Sequence, residues 1–138
     1  MKGFCKRKYL ILIVSISLAL GSCHDYRLEN ATSDISRSWY LVKYELNNGD
    51  STFYFTSMIT NYTITFTTEG AYTESFEYYG TPVTINGYYV FQDNISELVL
   101  SDEDTTRVFD VVNLTTNHLT IELMNTPDDD DIYFLEPL

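Results

Sequence analysis

Tyr62-Thr63-Ile64-Thr65-Phe66-Thr67 is the stretch that decides the fold class. Its apolar and polar residues alternate strictly, so Tyr62, Ile64 and Phe66 face one way and three threonines the other, the period of a half-buried β-strand. The same period returns in His118-Leu119-Thr120-Ile121-Glu122-Leu123, where Leu119, Ile121 and Leu123 share a face. Around both runs the chain is rich in Tyr, Phe, Val, Ile and Thr, which fit a pleated surface. No segment after the N-terminal region sustains a 3.6-residue period over three turns.

Turn residues punctuate the remainder. Asn48-Gly49-Asp50, Thr68-Glu69-Gly70, Asn86-Gly87, Gln92-Asp93-Asn94, Ser101-Asp102-Glu103-Asp104, Thr115-Thr116-Asn117 and Pro127-Asp128-Asp129-Asp130-Asp131 separate short strands. Asn86-Gly87 has the composition of a type I′ hairpin turn. The expected strands are 39–46, 62–68, 71–79, 87–92, 95–101, 105–113, 118–124 and 132–136. Residues 52–58 fit a ninth strand, a short helix or an irregular lid between Asn47 and Thr60, because Phe53, Phe55 and Met58 do not fix a period. The fold class expected is all-β: an antiparallel up-and-down meander of about eight strands. Closing into a barrel buries its apolar face and removes its edges.

The N-terminus carries a different message. Lys2, Lys6, Arg7 and Lys8 precede an apolar run from Tyr9 to Leu20, and Leu20-Gly21-Ser22-Cys23 follows. A basic n-region, a short h-region and a small-residue cleavage site make a secretory signal peptide, and the run is short for a membrane span. With the cysteine added, the segment resembles the lipobox of bacterial lipoproteins. That resemblance implies cleavage before Cys23, a diacylglycerol on its thiol, and a location in the bacterial cell envelope, on the outer membrane. The chain then divides into a cleaved signal peptide (1–22), a lipidated polar tether (23–37) and one β domain (38–138).

Beyond residue 22 there remain four basic and twenty acidic residues, a formal charge of −16. Such a domain repels phosphate backbones, so nucleic acid is not an expected partner. Contact with the membrane is expected through the lipid instead. Cys5 leaves with the signal peptide and Cys23 is taken by the lipid, so no thiol is left for a disulfide, a metal or a nucleophile. His24 and His118 stand alone, and no serine sits in a nucleophile elbow. Neither a catalytic constellation, a cofactor motif nor a metal site is expected, and the chain is not read as an enzyme. The run Asp128 to Asp131 lacks the EF-hand spacing and reads as a solvated turn. The sequons at Asn30, Asn61, Asn94 and Asn113 follow from an Asn- and Thr-rich composition. Asp50-Ser51-Thr52 and Asp104-Thr105-Thr106 match a short O-glycosylation pattern of exported Bacteroidetes proteins, which makes Ser51 and Thr105 acceptor candidates.

The order of the core positions also resembles a family. Trp39 lies on the first strand, followed by Tyr62-x-Ile64-x-Phe66-x-x-x-Gly70-x-Tyr72, Gly87-Tyr88-Tyr89, Phe109-x-Val111-x-x-Leu114-Thr115 and Leu119-x-Ile121-x-Leu123. Over residues 38–136 this resembles the lipocalin-like domains of small Bacteroidetes lipoproteins. The resemblance implies a small calycin-type barrel. The glycine that often precedes the first-strand tryptophan is replaced by Ser36-Arg37-Ser38, and no disulfide ties the last strand.

The site candidates follow from strand phase. Trp39, Tyr62, Phe66, Tyr72, Phe76, Tyr78 and Tyr88 are expected to face inward, either lining a ligand cavity or filling a solid core. Glu74 is in phase with Tyr72 and Phe76, and Arg107 with Phe109 and Val111. Both charges should point inward, to orient an ionic ligand or to pair with each other. Two functions follow: a lipid-anchored envelope module binding a small, partly apolar ligand, or a solid-cored lipoprotein that binds an envelope protein. For the anchor, Cys23→Ser is expected to leave the domain folded but to move it out of the detergent phase. Unchanged partitioning, or a parent protein without acyl mass, would contradict the lipoprotein reading.

Overall fold

The computed structural model describes residues 27–124 and 130–138. Cys23 with its signal segment, and Asp128 and Asp129, lie outside them. A helix, α1 (27–35), leads into the sheet. The strands are β1 (Ser38–Leu46), β2 (Gly49–Asp50), β3 (Ile59–Phe66), β4 (Ala71–Tyr78), β5 (Thr81–Gln92), β6 (Glu97–Ser101), β7 (Thr106–Leu114), β8 (Leu119–Leu123) and β9 (Asp131–Pro137). A second helix, α2 (Thr52–Met58), precedes β3, and a 3₁₀ turn (Asp93–Ile95) joins β5 to β6. Successive strands from β3 onward pair antiparallel, and β1 pairs both β3 and β9. The sheet therefore closes into an up-and-down barrel of eight strands, with β2 only a short return against the tip of β1. The all-β barrel expected from period-two alternation is the fold.

Alternation decides what the wall encloses. Trp39, Ile64, Phe66, Tyr72, Tyr89, Leu98, Leu100, Phe109, Leu119, Ile121 and Leu135 point inward and are buried with Ile35. α1, the loop 67–70, the 3₁₀ turn and the loop 115–118 gather at one end of the barrel. α2, the Tyr79-Gly80 turn and the loop 102–105 gather at the other, called here the far end.

Two expectations are corrected, and the alternatives left open for residues 52–58 are decided. Residues 23–37 are not a polar tether throughout, because from residue 27 the chain is α1 and seals the barrel. Leu28, Ala31 and Ile35 fall on one helical face; Ala31 is buried and Ile35 is 0 % exposed. Trp39 Nε1 donates to the Ile35 carbonyl (2.8 Å), and Arg37 Nη1 donates to the Thr116 carbonyl across the same end (2.6 Å). Two turns of apolar spacing among charged residues are too short to register as a period. Residues 52–58 form helix, with Phe55 alone buried. Finally, Asn86-Gly87 is not a turn. β5 starts at Thr81, and the hairpin bends at Tyr79 (φ 48°) and Gly80 (φ 79°), both left-handed as a two-residue primed turn requires. Gly87 is needed for close approach: a Cβ there would lie 2.2 Å from the Ser101 carbonyl oxygen and 2.6 Å from Tyr72 Cε1.

Ile35→Ala is expected to cost about 2–4 kcal/mol, the range for truncating a buried aliphatic. Leu28→Ala, nearer the surface, should stay within about 0.5 kcal/mol. Denaturant midpoints decide: equal, negligible effects would detach α1 from the barrel.

Candidate functional site

The far half of the lumen holds Glu74, the one charged residue buried among the described residues, and its half-buried partner Arg107. Glu74 is 3 % exposed, fixed by its pairing opposite Ile64 and Ile85 on the neighbouring strands. Arg107 sits opposite Leu100 on the short β6–β7 hairpin. Its Nη2 donates to Glu74 Oε2 (2.5 Å) and its Nη1 reaches Glu74 Oε1 (3.4 Å), so the fork meets the carboxylate face-on. Tyr62 Oη donates to Glu74 Oε1 (2.7 Å), which completes the carboxylate's partners within the lumen. The inward pair predicted by strand phase is present, and it is satisfied internally.

An aromatic cage covers this pair. Phe55 of α2 drops into the mouth with Tyr44 at 4.6 Å and Tyr62 and Tyr133 each at 6.1 Å between ring centroids. Tyr62 stacks on Phe76 (6.1 Å), and Phe109 meets Tyr133 edge-on (6.0 Å). Nearer α1, Phe66 packs edge-on against Tyr89 (5.1 Å). Burial, followed by the charge of Glu74, raises the Tyr62 hydroxyl well above the usual tyrosine range. Burial and Asp131 push Tyr133 up to about 12. Burial works against the Arg107 guanidinium, but the hydrogen bonds and charge of Glu74 more than restore its proton.

Of the seven aromatic candidates, Trp39, Phe66 and Tyr72 are buried core, and Tyr62 and Phe76 are half-buried at the mouth. Tyr78 and Tyr88 are corrected: they are 49 % and 74 % exposed. Tyr88 lies opposite Ala71 and Ser101, so it points outward while Gly87 and Tyr89 take the inward positions. Tyr78 has the inward phase but is the last residue of β4, at the rim, where it pairs with the end residues Ile59 of β3 and Thr81 of β5. Sequence reasoning missed Tyr44, Phe55 and Tyr133. The period-two signal was there for Tyr133 in Tyr133-x-Leu135, but a bulge between Leu41 and Lys43 breaks the phase that carries Tyr44 inward.

The acidic run is partly ordered into the sheet. Asp131 opens β9 and accepts from Tyr44 Oη (2.7 Å), and the Asp130 carbonyl accepts from the Asn47 amide (3.1 Å). The two glycosylation candidates lie in local turns: Asp50 Oδ1 accepts from Thr52 Oγ1 (2.7 Å), and Asp102 Oδ2 from Thr105 Oγ1 (2.9 Å).

Three clefts of about 490–530 Å³ open on the surface of the described residues. One lies between β1 and β3, one beside Tyr72 and Tyr88, and one between α1 and the β7 wall. The far end also carries an exposed aromatic tip, with Phe53 (89 %) and Tyr54 on α2 and Tyr79 on the adjacent turn. No protein-family model matches the chain, and no curated protein matches it significantly.

Two predictions follow from the lumen. Arg107→Met should cost about 3 kcal/mol by stranding a buried carboxylate, whereas joint replacement of Glu74 and Arg107 by Leu should cost much less. Equal losses in denaturant titrations would show that the pair is not coupled. With Tyr62 and Tyr133 held neutral above the unfolded value of about 10, their stabilisation is complete below that pH, and the share of Tyr133 is lost as pH rises through about 12. Tyr133→Phe should shift this alkaline unfolding upward, as read by circular dichroism; an unchanged midpoint would place Tyr133 in water.

Proposed function

We propose that this chain is a lipid-anchored binding module of the bacterial cell envelope that engages a protein partner through its outer surface. One observation carries the choice of partner over ligand: the lumen is occupied by its own side chains. Trp39, Phe66, Tyr72, Leu98, Leu119 and Leu135 are almost without exposed surface, and buried Glu74 is paired with half-buried Arg107. An ionic ligand entering there would have to break a charge-assisted fork before making any contact of its own. The apparatus for recognition lies outside, in the clefts and the aromatic tip. The Cys23 anchor leads into the end that carries α1, so the far end is the one presented away from the lipid.

A second reading rests on Phe55. It is the one buried residue of α2, a seven-residue helix without a side-chain cap. A small apolar ligand could take its place in the cage of Tyr44, Tyr62 and Tyr133. Native mass spectrometry of protein taken gently from its own envelope separates the two. The partner reading expects the acylated mass with no small-molecule adduct. A persistent adduct that disappears when Tyr62 and Tyr133 are changed to Ala would overturn it in favour of the ligand reading.

A further inference from the structure

The barrel wall is not uniformly sealed. β1 and β3 pair only through Ser38–Thr65, Trp39–Ile64 and Tyr40–Thr63, whereas β1 and β9 pair from Trp39 to Leu46. Beyond Tyr40 the two strands part, and both are bulged there. The β1 register slips between Leu41 and Lys43, and the β3 register between Thr60 and Thr63, where Asn61 is left-handed (φ 55°). Above the gap the chain closes its own edge. Thr52 Oγ1 accepts from the Tyr44 amide (3.0 Å), and the Tyr44 carbonyl accepts from the Ser51 amide (2.9 Å). Between these limits Leu41–Lys43 on one side and Ile59–Tyr62 on the other have no strand partner across the seam.

The gap is a cleft of about 530 Å³ with Leu41, Ile59 and Tyr62 among its walls and Thr56 of α2 beside them. Its outer rims are anionic. Tyr40 Oη donates to Glu136 on the β1 side, and Thr60 Oγ1 donates to Glu77 on the β3 side, each at 3.2 Å. The one lysine of β1, Lys43, is engaged by Glu45 (2.5 Å). Two facing strand edges ask for backbone amides, which an alkyl chain does not supply. An apolar floor under acidic rims asks for side chains that alternate apolar inward and cationic outward. A formal charge of −16 on residues 23–138 disfavours a second copy and an anionic bilayer, and steers a basic segment inward.

Resting on the partner reading above, we propose that the β1–β3 seam docks an extended basic segment of a partner protein, bound as an added strand. The test uses the full chain with a blocked hexapeptide of alternating Val and Lys. Its Val/Glu counterpart, a Val/Lys version N-methylated on alternate amides, and palmitate serve as comparisons. Amide hydrogen exchange is followed at Leu41–Lys43 and Thr60–Tyr62, since the Ile59 amide already donates to the Phe55 carbonyl. The Val/Lys peptide, at about ten times its Kd, should slow exchange at these amides roughly tenfold. The Val/Glu and N-methylated peptides should not. Changing Glu77 and Glu136 to Gln, both exposed enough to leave the fold intact, should weaken the peptide by roughly fivefold. No protection from any peptide, equal protection from the N-methylated one, or protection by palmitate alone would overturn the proposal. A clean native mass with unprotected seam amides would count against the seam alone; a lumen adduct would count against the partner reading.

Discussion

Everything in this structure depends on the pairing of β1 with β9. The register from Trp39–Pro137 to Leu46–Asp131 turns a meander into a ring. A ring of eight strands leaves free edge only where β1 and β3 part, and its lumen is narrow enough for side chains to fill. Closure then imposes its own demands. Every inward position must be apolar or must find a partner inside, and both ends must be stopped. α1 stops one end through Ile35 and the Trp39 hydrogen bond, and Phe55 of α2 stops the other. Glu74 and Arg107 are what closure does to two charges placed on the inward phase: they face each other, with the Tyr62 hydroxyl as the carboxylate's further partner.

Such a pair is weak evidence for stability, since burying two charges costs about as much as their attraction returns. Its consequence here is fixed register. A one-residue slip of β4 or β7 would carry Glu74 or Arg107 to the outside and strand the other. Tyr62 adds the third partner, and it belongs to β3 at the edge of the seam. The polar network thus ties β3, which borders both the mouth and the outer cleft, to β4 and β7. Bulges in β1 and β3 release the wall beside that network.

Much of the fold was legible in the residues. Period-two runs marked Ile64, Phe66, Leu119 and Ile121 as core, and phase alone placed Glu74 and Arg107 inward. What escaped was whatever broke or shortened a period. The described part of α1 has only two turns, and its apolar face is three residues among charges. Gly87 imitated a turn because Asn-Gly is the turn pair, yet the glycine answers to the Tyr72 ring lying over it. One position decided between Tyr88 and Tyr89, and the strand's true start at Thr81 settled it. The seam was invisible because bulges leave no residue signature, although Asn61 in a left-handed conformation is the kind of residue such a place prefers.

The central claim is that the lumen is filled by its own side chains and that recognition takes place on the outer wall. Xenon enters empty apolar cavities and ignores packed ones. Crystals of the protein held under xenon pressure should therefore show no xenon among Trp39, Phe66, Tyr72, Leu98 and Phe109. An ordered xenon atom within that cluster would contradict the account and return the barrel interior to the list of binding sites.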